Sequence, residues 1–150
     1  MKHYLGILAI TMLLVCASTT LANDSESPDF QRWYVYNEAY TLAQEHERPL
    51  MLYFWHQHCH ACHRLNAWTL SQSAVREVLA EDFVVATIDI RHPDNKAIVA
   101  EYRVRGTPTL VFVELVEGEA RELQRYFSER PKEQFLDELT GILVDRSKLP

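Results

Sequence analysis

Helical spacing and continuous apolar runs alternate along most of this chain. Apolar and aromatic positions recur at helical spacing from Trp33 to His46, and Arg48-Pro49 ends that pattern. The next segment, PLMLYFW from Pro49 to Trp55, is apolar without alternation, which is typical of a central strand buried on both faces. The pattern therefore predicts a helix that leads through a turn into a buried strand.

Helices and strands continue to alternate after Trp55. Helical patterns over Cys62–Trp68 and Ser73–Ala80 are followed by an apolar strand over Phe83–Ile90 and a helix from Pro93 to Tyr102. The expected buried positions of the first two helices are Leu65, Trp68, Val75, Val78 and Leu79.

The last part of the chain predicts a hairpin and a closing helix. Strands over Thr109–Val116 and Arg121–Phe127 flank a turn at Glu117-Gly118. Ser128 is the expected cap of the closing helix, and Pro131 is expected in its first turn. The order α, β, α, β, α, β, β, α predicts an α/β fold with a mixed central sheet of about four strands flanked by helices.

The N-terminus predicts export. Lys2 and His3 precede a mostly apolar run from Tyr4 to Val15, and small residues then lead to Ala22. This pattern predicts a signal peptide over residues 1–22 with cleavage after Ala22, a leader segment over 23–36 and a domain over 37–145. A retained membrane anchor is the alternative, but the apolar run is shorter than the ~20 residues that a bilayer requires. We therefore expect a periplasmic or otherwise exported protein without stable membrane insertion.

Charge and cysteine content limit the classes of function that are compatible with the sequence. The chain has a formal charge of −6, and removal of the signal leaves 14 basic against 21 acidic residues, or −7. This acidity argues against a nucleic-acid partner. Cys16 lies within the predicted signal, so Cys59 and Cys62 are the cysteines of the mature chain. A pair so close in sequence cannot connect distant parts of a fold, and it therefore indicates a redox or ligand site.

The segment WHQHCHACH, which ends at His63, allows three interpretations. Cys59-His60-Ala61-Cys62-His63 is a possible redox dithiol, and it also matches the Cys-x-x-Cys-His pattern of covalent haem attachment. The third possibility is a copper- or zinc-binding module that uses Cys59, Cys62 and nearby histidines such as His63. Against this metal site, only His92 follows His63, and no second Cys or His pair appears downstream.

The position of the motif in the predicted fold affects the reactivity of the two cysteines. It follows a predicted buried strand and begins a helix, where unpaired backbone N–H groups carry a partial positive charge. We expect these groups to favour a thiolate at Cys59, which makes Cys59 the nucleophile toward a disulfide. Cys62, one turn later, is expected to be shielded and to resolve the mixed disulfide.

Two segments resemble the thioredoxin family: LYFWHQHCHACHRL around the cysteines, and YRVRGTPTLVFV from Tyr102 to Val113. The resemblance implies a thioredoxin fold and a thiol:disulfide oxidoreductase with no bound cofactor. It also implies a cis Thr107-Pro108 bond and a substrate groove that includes Thr107, Pro108 and Trp55. Within the family, the chain is most similar to periplasmic SoxW-type proteins and to the C-terminal domain of DsbD. That similarity implies a reducing or disulfide-exchanging role outside the cytoplasm, with the reducing direction favoured. The expected partners are exported client proteins and a redox partner protein that exchanges thiols and disulfides with the chain.

The chain departs from the family pattern at the dithiol. His58 stands where thioredoxin has Trp, His60-Ala61 replaces Gly-Pro, and Tyr53 replaces a buried Asp that accepts protons from the resolving Cys. Because imidazoles adjoin Cys59, we expect His60 and His58 to modulate its pKa. Stabilising the thiolate makes a disulfide more oxidising, which opposes the reducing role that the family implies.

Overall fold

The computed structural model describes residues 33–148, which form a central sheet with helices on both faces. The strands are β1 (Leu50–Trp55), β2 (Val84–Asp89), β3 (Thr109–Val116) and β4 (Glu119–Phe127). They lie in the order β2-β1-β3-β4. β1 is parallel to β2 and antiparallel to β3, and β3 is antiparallel to β4. This arrangement confirms the mixed four-stranded sheet and the terminal hairpin predicted from the sequence.

Five α-helices surround the sheet. They are α1 (Tyr36–Glu45), α2 (His60–Leu65), α3 (Ser73–Asp82), α4 (Lys96–Glu101) and α5 (Lys132–Arg146). A π-helical turn, Asn66–Leu70, joins α2 to α3, and a 3₁₀ turn, Pro93–Asn95, leads into α4. Within residues 33–148, no helix is both long and apolar enough to cross a membrane. The predicted signal, its cleavage point and most of the leader lie outside the described residues.

The core has two halves, one on each face of the sheet, and β1 contributes to both. Met51 and Tyr53 pack on one face with buried side chains of α2, α3 and α5. Leu50, Leu52 and Phe54 pack on the other face with residues of α1 and with Tyr102. Five of the six β1 side chains, those of Leu50 to Phe54, are fully buried, which explains why this strand shows no alternation of apolar and polar residues. Each such side chain contributes ~1.5–3 kcal/mol by its removal from water.

The first helix begins later than the sequence pattern predicts. Tyr34 forms an isolated parallel bridge with Ala86, on the outer edge of β2. Its N–H donates to the carbonyl of Val85 at 2.9 Å, and its carbonyl accepts the N–H of Thr87 at 3.1 Å. This pairing keeps the backbone extended before α1, so that the helix starts at Tyr36 rather than Trp33.

Two further predictions of local structure are wrong. Trp68 was expected in the core but is 64% exposed, because the π-helical turn changes the helical period and buries Thr69 and Leu70 instead. Ser128 was expected to cap α5, yet α5 begins at Lys132 with Pro131 in the capping position and no side-chain cap. Ser128 has a positive φ of 66°, and its N–H donates to the carbonyl of Pro108.

Substitution by alanine should change the free energy of unfolding in opposite directions at two glycines. Gly118 has φ 85° in the β3–β4 turn, and a Cβ there would meet nothing closer than Gln44 Nε2 at 3.9 Å. Gly118→Ala should therefore lose about 1–2 kcal/mol of unfolding free energy through backbone strain alone. Gly141 lies inside α5 with open space around its Cα, so Gly141→Ala should gain about 0.5–1 kcal/mol. Urea unfolding of both variants tests this prediction, and changes of the same sign would contradict it.

Candidate active site

The two cysteines lie where β1 passes into α2. After β1 ends at Trp55, the chain turns: the N–H of Cys59 donates to the carbonyl of His56 at 3.0 Å, and the N–H of His58 donates to Nδ1 of His56 at 3.1 Å. This turn places Cys59 at the N-cap of α2 with an extended backbone, and Cys62 one turn into the helix. The local structure agrees with the position predicted for the motif.

Cys59 and Cys62 form a disulfide with a Cα–Cα distance of 5.2 Å. The backbone N–H of Cys62 donates to Sγ of Cys59 at 3.1 Å. Cys59 is 6% exposed and Cys62 is 1% exposed, so Cys59 presents the more accessible sulfur. An N–H group directed at Sγ of Cys59 from the start of a helix would favour negative charge on that atom once the disulfide opens.

Cys62 lies in the hydrophobic core, where Tyr53 gives it a polar neighbour and the described residues provide no buried carboxylate. Among residues 33–148, the buried residues with polar or charged side chains, apart from the tyrosines and cysteines, are Thr69 and Thr109. The hydroxyl of Tyr53 donates to the carbonyl of Cys62 at 3.5 Å, and Trp33 packs edge-on against the Tyr53 ring at 5.5 Å. Burial raises the pKa of the Tyr53 phenol far above its ordinary value, and a neighbouring hydrogen bond from Asn66 offsets part of that rise. Tyr53 is therefore neutral at physiological pH.

Pro108 and Thr107 lie at the same end of the sheet as the disulfide. Phe54 of β1 pairs with Thr109 of β3 in antiparallel register, so the residues preceding Thr109 lie beside the end of β1. The Thr107-Pro108 bond is cis, and Pro108 is buried while Thr107 is partly exposed. Thr107 makes no backbone hydrogen bond to another residue within the described part of the chain.

Trp55 packs against the core cluster that contains both cysteines. Its side chain is partly buried, and its indole Nε1 has no hydrogen-bond partner among the described residues. The structure thus brings Trp55, Cys59, Cys62 and the Thr107-Pro108 segment to one end of the sheet.

Four histidines surround the entrance to the dithiol. His58, His60 and His63 are exposed, whereas His56 is partly buried. Nε2 of His63 donates to the carbonyl of Gln57 at 2.7 Å, which holds this ring against the turn before Cys59. Burial lowers the pKa of His56, and Arg91, His58 and His63 lower it further, although Asp89 partly opposes them. The lowered pKa keeps His56 mostly neutral near neutral pH.

The two alternative sites use the same atoms as the disulfide. Covalent haem and a soft metal ion would each need the sulfurs of Cys59 and Cys62, which are bonded to each other. Both alternatives also involve His63, whose Nε2 is held by Gln57. Across residues 33–148, no three His, Cys, Asp or Glu side chains lie together as a metal site. No observation here favours either alternative.

Sequence patterns did not identify the contacts that hold α2 in place. Nε of Arg64 donates to Oε2 of Glu129 at 2.8 Å, and a second guanidinium nitrogen bonds the other carboxylate oxygen. The hydroxyl of Thr69 donates to the carbonyl of Arg130. These contacts join α2 and the π-helical turn to the loop before α5. The residues lie more than sixty positions apart, so periodicity carries no signal of them.

The similarity to known proteins covers most of the described chain. The thioredoxin-like family matches residues 32–114. A thioredoxin from Thermus thermophilus is 42% identical, with a TM-score of 0.71 over 75% of this chain and 87% of that one. The DsbD C-terminal domain of Neisseria meningitidis in its reduced form is 21% identical, with a TM-score of 0.58 over 70% of this chain and 90% of that one, which is a likeness of fold.

A further relative is much longer than this chain. The thiol:disulfide interchange protein DsbD of Salmonella typhi is 31% identical over 72 residues, which are 47% of this chain and 13% of DsbD. The chain therefore corresponds to a small part of this curated relative.

The lowered pKa of His56 predicts a pH dependence of stability. Folding favours the neutral imidazole, so its contribution is complete above the unfolded pKa of 6.5 and is lost as the pH falls through the folded pKa. His56→Asn removes this titration but keeps an oxygen that can accept the N–H of His58. The variant should lose less unfolding free energy than the parent between about pH 7.5 and about pH 5. A parallel decline of both proteins in urea titrations would contradict the prediction.

Proposed function

The chain belongs to the thioredoxin-like family, and from this premise we propose that it is a thiol:disulfide oxidoreductase that acts through Cys59 and Cys62. The observation that carries the proposal is the Cys59–Cys62 disulfide at the start of α2, with Sγ of Cys59 accepting a backbone N–H. The fold and the similarity to a thiol:disulfide interchange protein support the same enzyme class.

The reaction is a pair of thiol–disulfide exchanges. In the reduced chain, the Cys59 thiolate attacks a disulfide of the client protein, forms a mixed disulfide and releases one client sulfur as a thiolate that takes up a proton. Cys62 then loses its proton and attacks Sγ of Cys59, which releases the second client thiol. The client gains two electrons and two protons, and the chain returns to the disulfide state. A dithiol of a partner protein reverses these steps on this chain and is itself oxidised.

We assign the client groove to the end of the sheet that holds the dithiol. The free backbone N–H and carbonyl of Thr107 support strand-like pairing with an extended client segment. Pro108 and Trp55 would form the apolar walls beside the two sulfurs. An extended segment fits this groove because its main chain can pair while its cysteine approaches Cys59.

We further propose that this exchange takes place outside the cytoplasm and in the reducing direction. The N-terminal pattern supports export, and the likeness to DsbD supports exported clients and a redox partner protein that supplies electrons. The groups near Cys59 favour its thiolate and so oppose a strongly negative potential. The direction of electron flow therefore depends on the reduction potential of the Cys59–Cys62 pair relative to that of the partner protein.

Trapping variants test the assignment of the two cysteines. Cys62→Ser should accumulate a mixed disulfide with insulin as a disulfide-bonded test substrate, because the resolving thiol of Cys62 is removed. Cys59→Ser should form no such adduct, since Cys62 is almost inaccessible. The measurement is non-reducing electrophoresis with mass spectrometry of the adduct.

The matched control is Cys16→Ser, which removes a cysteine outside the motif and should leave exchange unchanged. Adduct formation through Cys62 in the Cys59→Ser variant would contradict the assigned roles. Failure of the parent protein to form a Cys59–Cys62 disulfide in any glutathione buffer would contradict the proposed activity itself.

The reduction potential tests the direction and the role of the histidines together. A value near ~−270 mV supports a reductase, and one near ~−120 mV supports an oxidase. His60→Gln should lower the dithiol fraction at a given glutathione ratio, because the substitution removes an imidazole that can stabilise the neighbouring thiolate. His58→Gln should act in the same direction. The control is His92→Gln, because His92 is exposed on a loop after β2. Equal effects of all three substitutions on the dithiol fraction would contradict the proposed influence of His58 and His60 on the dithiol.

A further inference from the structure

The interior neighbours of Cys62 form a small polar group of their own. The carbonyl of Cys62 accepts both the hydroxyl of Tyr53 at 3.5 Å and the backbone N–H of Asn66. Asn66 stands four residues after Cys62, which places both side chains on one face of the helix. Because helical side chains lean toward the N-terminus, we expect the side chain of Asn66 to lean toward the turn that contains Cys62.

Asn66 carries an unsatisfied acceptor in the disulfide state. Its Oδ1 is buried and has no hydrogen-bond partner among the described residues. Leaving a buried acceptor unpaired costs ~1–3 kcal/mol, so such a group calls for an explanation. The π-helical turn also begins at Asn66, whose carbonyl accepts the N–H of Ser71 at 2.9 Å. Single π-helical turns occur frequently at functional sites.

We propose that Asn66 is a positioning residue for Cys62, and that its Oδ1 accepts the S–H that Cys62 carries only in the reduced state. This inference rests on the proposed function, because it requires that the disulfide opens. In the oxidised chain, Sγ of Cys62 is bonded to Sγ of Cys59 and has no proton to donate. A partner dithiol supplies two electrons and two protons, and one of these protons completes the thiol of Cys62. The new S–H then pairs with the acceptor that was unsatisfied.

Tyr53 contacts Cys62 at its backbone carbonyl rather than at its sulfur. Its hydroxyl donates to the Cys62 carbonyl, and burial keeps it protonated, so it anchors the backbone of Cys62 without competing for the thiol proton. The resolving cysteine is thus held by two neutral groups, one on its carbonyl and one on its sulfur. Because Oδ1 is unpaired in the disulfide and paired in the dithiol, Asn66 favours the dithiol and makes the disulfide more oxidising.

The test compares the redox equilibrium of Asn66→Leu and the parent, both as full chains, in glutathione buffers. Loss of the acceptor should reduce the equilibrium constant for dithiol formation by about 3- to 10-fold, the worth of one hydrogen bond. That change corresponds to a potential about 15–30 mV more negative. Asn37→Leu is the matched control, because Asn37 is exposed on α1. Asn66→Ala should shift the equilibrium in the same direction and replaces Asn66→Leu if the larger side chain prevents folding.

Unfolding in urea separates positioning from a merely structural role. Asn66→Leu should lower the stability of the reduced protein relative to that of the oxidised protein, since the S–H bond exists only in the reduced form. An equal loss in both forms, or an unchanged glutathione equilibrium in a protein that still exchanges disulfides, overturns the inference. Absence of any Cys59–Cys62 exchange in the parent overturns the proposed function instead, so the two failures are distinguishable.

Discussion

The burial of β1 on both faces is the constraint on which the site depends. Its side chains from Leu50 to Phe54 have no contact with water, so the strand cannot shift its register without exposing one half of the core. The strand therefore delivers the turn at His56–His58 and the start of α2 to a fixed place. The antiparallel pairing of Phe54 with Thr109 then brings the Pro108 segment to the same end of the sheet. One rigid strand thus positions both the reacting sulfurs and the proposed client groove.

The two sulfurs meet different physical environments, and this difference defines their roles. Cys59 lies at the helix start, where a backbone N–H already points at its sulfur. Cys62 lies deeper, beside Tyr53 and Asn66, and residues 33–148 place no buried carboxylate next to it. A carboxylate at that place could remove the proton of the resolving thiol, but a phenol of raised pKa and an amide cannot. During resolution, the proton of Cys62 must therefore leave with the departing client thiolate or through water.

The sequence was sufficient for the features that local pattern determines. The apolar run of β1, the Glu117-Gly118 turn and the place of Cys59 before a helix all agree with the structure. The predictions of local structure were wrong where tertiary contacts or an irregular helix overrode the local sequence pattern. Trp68 faces solvent because a π-helical turn interrupts the period on which its burial was predicted, and α1 starts late because Tyr34 pairs with β2. The unpaired oxygen of Asn66 could not be predicted, since the sequence shows its spacing from Cys62 but not its burial.

The same five residues, Cys59 to His63, would suit a haem or a soft metal in another fold, and what separates these chemistries is the surrounding structure. A haem thioether or a metal–thiolate site needs both sulfurs free to face an outside group. Here the turn and α2 direct the sulfurs toward each other, and His63 is tied back to Gln57. His58 and His60, on either side of Cys59 in the sequence, are both exposed. The strand β1 and the helix α2 thus determine the geometry in which the two sulfurs meet.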